Sequence, residues 1–299
     1  MKATAIEPPV LPIGRSLTMA DFAELVKAQL TFLVLITTAV GFYVGWRGPM
    51  NYLALLNAVL GTAFAAAGAA ALNQWWEHKL DAQMHRTRSR PIPAGRMLPR
   101  DGLAIGALLC VGGVAYLTFA VNLPSAFLAG LTIALYVFAY TPLKRISTTN
   151  TLVGAIPGAI PPLIGWVAAR GTLEPEGWSL FAILFIWQMP HFFALAWMYR
   201  EDYARAGFRM MSADDETGLR SSSQSVLFCI LLLVLSGLPS YVGLTNFYYL
   251  PIAVALSGWF VAIALRFHAD RTVQNARRLF LTSIIYLPLL LAALMLTKQ

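Results

Sequence analysis

The stretch YLALLNAVLGTAFAAAGAAAL, residues 52–72, contains no charged side chain. As an α-helix, an apolar run of about 20 residues is long enough to cross the hydrocarbon core of a bilayer, which is about 30 Å thick. Similar runs recur along nearly the whole chain. The predicted membrane spans are residues 25–45, 52–72, 103–121, 124–141, 151–169, 178–199, 226–245, 249–266 and 279–296. The sequence therefore predicts an all-α, polytopic membrane protein of about nine transmembrane helices.

The composition supports this prediction, because 58% of the 299 residues are hydrophobic and only 12% are charged. The formal net charge of +8 does not indicate a nucleic-acid partner, since the basic residues follow a membrane topology. With a cytoplasmic N-terminus and nine crossings, all but three of the 22 Lys and Arg residues lie inside, the exceptions being Arg47, Arg170 and Lys298. We therefore expect a multi-pass protein of the cell (plasma or inner) membrane, with cytoplasmic polar loops and an external C-terminus.

The chain leaves little room for a separate soluble domain. Residues 1–20 contain three prolines and no long apolar run, so we expect a flexible N-terminal tail. Residues 21–299 are expected to form a single transmembrane domain. Cys110 and Cys229 lie within apolar runs and have no Cys-x-x-Cys partner, which argues against both a disulfide framework and a zinc site.

A polar cluster, NQWWEHKLDAQMH, follows the second predicted span. It places Asn73, Glu77, Asp81 and His85 at a spacing of four, so their side chains share one face if the helix continues. Two carboxylates at this spacing repel each other unless a positive charge lies between them. One or two carboxylates, completed by water and phosphate oxygens, are the ligands that Mg²⁺ prefers. The alternative is a solvated cytoplasmic loop.

Basic side chains accompany this cluster. Arg86, Arg88 and Arg90 follow directly, and their guanidinium groups match phosphate oxygens, although basic residues also serve as cytoplasmic anchors. Carboxylates beside arginines suggest a diphosphate held through a metal ion. The end of the fourth predicted span carries a second group, Tyr140, Lys144 and Arg145.

A third polar cluster begins within the sixth predicted span. His191 is the histidine that lies deep in an apolar run, and an ionisable residue at such depth suggests function by default. It could ligate or stack beside a planar cofactor, donate a proton, or bond a neighbouring carbonyl. Tyr199 and Asp202 lie at the cytoplasmic end of the span. Asp202 is either a second metal or diphosphate residue or the ion-pair partner of Arg205, whereas Asp215 is typical of a solvated loop charge.

These residues resemble the UbiA superfamily of intramembrane prenyltransferases. The Asn73-x₃-Glu77-x₃-Asp81 pattern is similar to the first motif of that superfamily, Asn-x₃-Asp-x₃-Asp. The stretches HRTRSRPIPAGR, GAIPPLIGW and PHFFALAWMYREDYARAGFRMM are similar to the branch that prenylates haem. The resemblance covers residues 20–296. One departure is that the second superfamily motif, Asp-x₃-Asp, is incomplete, because Ala206 stands four positions after Asp202.

The resemblance implies nine helices around a central cavity, Mg²⁺ as cofactor, farnesyl diphosphate as donor and haem B as acceptor, with water added to the product. The implied metal ligands are Asn73, Glu77, Asp81 and, less directly, Asp202; Lys144 joins the first three as catalytic residues. The implied diphosphate-binding residues are Arg86, Arg88, Arg90, Lys144 and Arg145. The implied haem-binding or prenyl-binding residues are His191, Tyr140, Tyr199 and Asp202. A downstream haem-modifying membrane enzyme is a plausible partner.

Two other functions remain open on the sequence. An aromatic, quinone-precursor polyprenyltransferase would share the first acidic motif but needs no haem pocket. A transporter would carry paired interrupted helices and charges near the middle of the bilayer, whereas the carboxylates here gather at cytoplasmic helix ends.

Overall fold

The computed structural model describes residues 18–299, and over that range it confirms the predicted all-α membrane fold. Nine of the described helices are long and apolar enough to cross a membrane. A short helix, α1, precedes them at Met19–Leu25. The nine are α2 Ala28–Gly45, α3 Tyr52–Asp81, α4 Pro99–Ala120, α5 Leu123–Leu143, α6 Asn150–Arg170, α7 Pro175–Met198, α8 Leu219–Tyr241, α9 Tyr249–Ala269 and α10 Val273–Leu296.

Residues 18–20, at the end of the predicted flexible tail, form the start of a helix. Residues 1–17 lie outside the described part of the chain, but Thr18 is the N-cap of α1. The hydroxyl of Thr18 accepts a hydrogen bond from the backbone N–H of Asp21 at 3.1 Å, and the Asp21 carboxylate accepts the backbone N–H of Thr18 at 3.3 Å. This reciprocal capping satisfies donors that a helix start would otherwise leave free. Residues 18–20 therefore belong to a helix and not to a tail.

The first predicted span, 25–45, is wrong at its beginning. α1 ends at Leu25, and Lys27 takes a left-handed backbone conformation with φ 49° before α2 starts at Ala28. Such a conformation costs roughly 1–2 kcal/mol for a residue with a side chain. The break turns the Lys27 side chain toward α3, where it makes a hydrogen bond to Asn73.

Three helices, α3, α8 and α10, extend furthest beyond their predicted spans, because polar residues continue them. α3 continues from the apolar run to Asp81, which carries the first polar cluster on the same helix. α8 begins at Leu219 instead of 226, since the buried carboxylate of Asp215 accepts the backbone N–H groups of Arg220 and Ser221. Asp215 is thus a helix cap and not the solvated charge that was predicted. α10 begins at Val273 instead of 279, after the N-cap Thr272.

The helices α2 and α6 pack with their backbones in contact. A Cβ atom added to Gly165 would overlap the carbonyl oxygen of Thr38, and one added to Gly41 would overlap that of Pro162. Small residues at helix crossings allow this close approach in membrane proteins. α6 also bends at Ile160, where Pro161 begins its second half. The bent helix lines an apolar cavity of about 30 Å³ inside the bundle.

The last part of α5 is wound as a π-helix over Leu135–Tyr140. The backbone N–H of Thr141 donates to the carbonyl of Tyr136, five residues earlier, in place of the usual four. Single π turns within α-helices often mark functional sites, because they change which residues share a face. This turn lies beside the polar end of α3, where the two helices meet.

The two ends of the bundle have different roles. The end that holds the carboxyl termini of α3, α5 and α7 carries the polar loops. At the opposite end, the ammonium group of Lys298 donates to the backbone carbonyls of Tyr43 and Trp46. These bonds join the segment after α10 to the end of α2.

Candidate functional site

Three side chains of α3 form the centre of the polar end. Asn73, Glu77 and Asp81, here called the acidic motif, are 0%, 4% and 1% exposed. Their spacing of four places them along one face of the helix, as predicted. The amide of Asn73 donates to Glu77 at 3.0 Å and to the hydroxyl of Thr141 at 2.9 Å. Buried carboxylates are costly unless they are paired, so each must find a partner.

Each member of the acidic motif has a basic partner from another part of the chain. The partners come from the turn before α2, from the residue after α5 and from the loop after α3. Charge-assisted hydrogen bonds of this length are among the stronger ones in proteins. The three contacts are Lys27 Nζ to Asn73 Oδ1 at 2.6 Å, Lys144 Nζ to Glu77 Oε1 at 2.8 Å, and Arg90 to Asp81 Oδ2 at 2.6 Å.

The two lysines respond differently to this environment. Burial opposes the charge on Lys144, but the nearby Glu77 carboxylate outweighs it and raises the pKa of Lys144. Lys27 has a neutral amide as its partner. Burial, assisted by the charges of Arg90 and Lys144, lowers the pKa of Lys27 to about 7. Lys144 therefore keeps its proton more firmly than Lys27 does.

The π turn of α5 supplies an aromatic and hydroxyl wall. The rings of Tyr136 and Tyr140 lie 5.6 Å apart, and the ammonium of Lys144 lies 4.6 Å from the centre of the Tyr140 ring. The hydroxyl of Tyr136 accepts a hydrogen bond from Lys27 at 3.3 Å. Thr141 completes the wall by accepting from Asn73. The turn and the residue that follows it thus place Tyr136, Tyr140 and Thr141 on the side of the acidic motif.

The segment after α7 covers the outer side of the site. The guanidinium of Arg86 lies 5.3 Å from the ring of Tyr199 and 5.6 Å from that of Tyr203. The carboxylate of Asp202 accepts from the backbone N–H of Arg86 at 3.3 Å and from Arg205 at 2.9 Å. Asp202 therefore binds the loop after α3. Its ion pair with Arg205 is the second of the two roles predicted for it.

Not all the predicted arginines reach the acidic motif. Arg90 and Lys144 contact it directly, and Arg86 lies one layer outside, between aromatic rings. Arg88 and Arg145 are exposed, and within the described part of the chain neither makes a side-chain hydrogen bond or an ion pair. Both lie at the same end of the bundle as the motif, open to solvent.

His191 lies in a separate cluster of aromatic side chains on α7, about 10 Å, or two turns, before the helix ends. Its ring stacks on Trp187 at 5.5 Å and lies 4.6 Å from Phe280. The Nδ1 atom lies 2.7 Å from the hydroxyl of Ser283, which donates its own proton to the carbonyl of Phe280 at 2.5 Å. If Ser283 donates to Phe280 in this way, Nδ1–H donates to Ser283 and the lone pair of neutral His191 is on Nε2; in the other tautomer Ser283 donates to Nδ1.

The donor set of the acidic motif fits Mg²⁺. Among the described residues, no group of three or more His, Cys, Asp and Glu side chains could hold a metal ion by itself. The motif instead offers two carboxylates and one amide oxygen. Mg²⁺ is commonly bound by one or two carboxylates, with the remaining positions filled by water and substrate phosphate.

Sequence reasoning missed Lys27, Tyr136 and Thr141. Each lies at a break in regular α-helix, either at the left-handed turn before α2 or in the π turn of α5. A lysine among the first three residues of a predicted span is ordinarily an interfacial anchor. The available signal was the group of hydroxyl-bearing side chains, Tyr136, Tyr140 and Thr141, that interrupts the apolar run of α5.

With this fold and site in view, comparison with known proteins gives the family: the chain belongs to the UbiA prenyltransferase family, whose model matches residues 34–290. It is similar to the protoheme IX farnesyltransferase of Solibacter usitatus, with 43% identity over 94% of this chain and 99% of that protein. The protoheme IX farnesyltransferase of Opitutus terrae is 44% identical over 93% and 95%. A UbiA homolog from Archaeoglobus fulgidus, solved bound to GPP and Mg²⁺, has the same fold, with a TM-score of 0.68, 13% identity and coverage of 92% and 99%.

Proposed function

We propose that the protein transfers a farnesyl group from farnesyl diphosphate to a vinyl group of haem B, with addition of water and release of diphosphate. The observation that carries the proposal is its similarity, over nearly the full length of both chains, to the Solibacter usitatus protein named for farnesyl transfer to protoheme IX. The three stretches of sequence that resemble the haem-prenylating branch agree with it.

In this reaction the bond between farnesyl C1 and the diphosphate oxygen breaks, and diphosphate leaves with the electron pair. The vinyl group of haem B forms a new bond to C1, and a water molecule adds to the resulting cation and loses a proton to solvent. No protein nucleophile is required. The ammonium and guanidinium groups of Lys144, Arg90 and Lys27 would stabilise the charge that develops on the leaving diphosphate, which is commonly the largest catalytic effect in such a site.

We propose Asn73, Glu77 and Asp81 as the residues that hold Mg²⁺, with Asp202 as a further candidate. When bound, Mg²⁺ would act as a Lewis acid on the diphosphate oxygens. The donor set of the acidic motif supports this assignment, and so does the fold shared with the Archaeoglobus fulgidus homolog that binds GPP and Mg²⁺. Asp202 would need to leave Arg205 and the backbone of Arg86 in order to take part.

Three further arginines are proposed to contact the diphosphate as it enters and leaves. Arg86, Arg88 and Arg145 lie outside the acidic motif at the same end of the bundle. A guanidinium group offers two parallel hydrogen bonds to phosphate oxygens. Exposed arginines would attract the anionic substrate before it reaches Lys144 and Arg90.

For haem we propose His191 as the principal contact, together with Tyr140, Tyr199 and Asp202 at the polar end. The Nε2 atom of His191, which does not face Ser283, and the flanking Trp187 and Phe280 rings support a site for a flat macrocycle. A histidine that ligates metal usually donates its other N–H to a fixed acceptor, the part that Ser283 would play for Nδ1.

The proposal includes location and organisation. The excess of Lys and Arg in the loops at the acidic-motif end favours a cytoplasmic site, a cytoplasmic N-terminus and an external C-terminus in the cell membrane. Residues 21–299 would act as one catalytic domain. Because the prenylated haem stays in the bilayer, a downstream haem-modifying membrane enzyme is the proposed recipient.

Mass spectrometry of haem tests the proposal directly. Purified protein is incubated with haem B, farnesyl diphosphate and Mg²⁺, and the haem is extracted. We expect a haem heavier by one farnesyl group and one water, and no product with the Asp81→Asn variant. Unmodified haem, together with prenylation of an aromatic quinone precursor in a parallel reaction, would replace the proposal with the alternative acceptor.

A further inference from the structure

Four of the five side-chain oxygen atoms of the acidic motif are already hydrogen-bonded to the protein's own cations, the exception being Asp81 Oδ1. Lys144 Nζ lies 2.8 and 3.0 Å from the two carboxylate oxygens of Glu77. Arg90 lies 2.6 Å from Asp81, and Lys27 lies 2.6 Å from the amide oxygen of Asn73. Asn73 and Glu77 therefore have a basic group to release before they can bind a divalent cation, and Asp81 has one on one of its two carboxylate oxygens.

Charge balance explains why that release needs a second ligand. The carboxylates of Glu77 and Asp81 are already neutralised by Lys144 and Arg90. A divalent cation alone would add positive charge to this buried cluster, where charges interact strongly because the local dielectric constant is low. A diphosphate alone would add uncompensated negative charge. The two together nearly cancel, and they let the basic groups turn from the carboxylates to the phosphate oxygens.

The basic side chains are placed to make this exchange. The side chains of Lys144 and Arg90 are 14% and 18% exposed, so each reaches the outer side of the motif and is not enclosed by it. Lys144 also has a second contact surface in the Tyr140 ring. Lysine is a flexible chain carrying a point charge, so it can change partner without a change in the backbone.

We propose that Lys144, Arg90 and Lys27 couple metal binding to diphosphate binding. In the absence of diphosphate they occupy oxygen atoms of the acidic motif and so oppose binding of a free divalent cation. When a diphosphate binds, they move to its oxygen atoms and leave the motif free to bind the metal. Metal and diphosphate then bind as a pair, and each increases the affinity for the other by the same factor. This inference rests on the proposed function only in taking a divalent cation and a diphosphate as ligands of the motif.

The decisive measurement is metal affinity without any diphosphate. Mn²⁺ is titrated into detergent-purified protein, and the free ion is followed by electron paramagnetic resonance. We expect Lys144→Met to bind Mn²⁺ more tightly than the unchanged protein, by about tenfold or more, within the range usual for coupling between sites. The matched control is Lys79→Met, which removes an exposed lysine from the same helix and should leave Mn²⁺ affinity unchanged.

The second measurement is the affinity for labelled pyrophosphate, by equilibrium dialysis with and without Mg²⁺. Mg²⁺ should strengthen pyrophosphate binding in the unchanged protein, and the strengthening should shrink in Lys144→Met. If Lys144→Met does not fold, Arg90→Met tests the same prediction at Asp81. Equal or weaker Mn²⁺ affinity in a folded variant would overturn the coupling. Because neither measurement involves haem, that result is distinct from failure of farnesyl transfer.

Discussion

Glu77 and Asp81 are buried carboxylates that carry the strongest prediction at the scale of single residues. We expect Glu77→Gln and Asp81→Asn to lower turnover on the order of 100-fold or more, because each removes a charge that would face the metal. Product formation at limiting Mg²⁺ is the measurement. Asp101→Asn, an exposed carboxylate at the start of α4, is the control. Near-normal turnover in either variant would remove that residue from the metal site.

A prediction about His191 can be tested by haem binding, without measuring turnover. We expect His191→Ala to weaken haem B binding and to change the Soret band, because the Nε2 lone pair is lost. Ser283→Ala should weaken binding less, on the order of tenfold, as expected for the partner that orients a ligand. His268→Ala, whose ring contacts Ser222, should have no effect. A spectrum and affinity unchanged in His191→Ala would make that histidine structural.

The spacing of the acidic motif could be predicted from the sequence, whereas the contacts between distant segments could not. A spacing of four is visible in Asn73, Glu77 and Asp81, because helical periodicity alone brings them together. Lys27 meets Asn73 only after α2 packs beside α3, 46 residues away in sequence. The pairing of Arg86 with Tyr199 and Tyr203 depends in the same way on tertiary packing.

At the scale of elements, α1 provides a prediction about pH. The hydrogen bond from Arg96, and then that from Thr18, hold the pKa of Asp21 below its ordinary value. A carboxyl whose pKa is lower in the folded state stabilises the fold above its unfolded pKa and loses that contribution as pH falls through its folded pKa. Docking of α1 should therefore weaken below about pH 4.

Hydrogen exchange of the α1 amides, corrected for intrinsic rates, measures this loss between pH 6 and pH 3. A variant with both Asp21→Asn and Glu24→Gln, which removes the two carboxylates that pair with Arg96, should exchange faster at the higher pH and show little further change on acidification. Parallel pH profiles in the two proteins would show that the pair with Arg96 does not hold α1 in place.

Helix ends were predicted less well than helix centres for one physical reason. Hydropathy detects the part of a helix that lies in hydrocarbon, but α3, α8 and α10 extend beyond it through polar residues. Asp215 and Thr272 cap α8 and α10 by accepting backbone N–H groups, an effect that apolar runs do not reveal. The π turn in α5 was unpredictable from periodicity, because it changes that periodicity locally.

At the scale of the whole molecule, the topology can be tested by reporter fusions. Nine crossings among the described residues, with most Lys and Arg at the acidic-motif end, require the two termini to lie on opposite sides of the membrane. We expect a C-terminal reporter to be active only outside the cytoplasm and one in the loop after α3 only inside. A cytoplasmic C-terminus would mean that one of the helices does not span.

The contact of Lys298 with Tyr43 and Trp46 has a consequence for biosynthesis. α2 is the first of the described spans to leave the ribosome and α10 is the last, so this bond cannot form until every intervening helix has been inserted. At about 5–20 residues per second, the first span waits on the order of tens of seconds for its final neighbour. During that time the flank of α2 that α10 will cover faces lipid or the insertion machinery, and a ribosome stalled before α10 would leave an unclosed bundle.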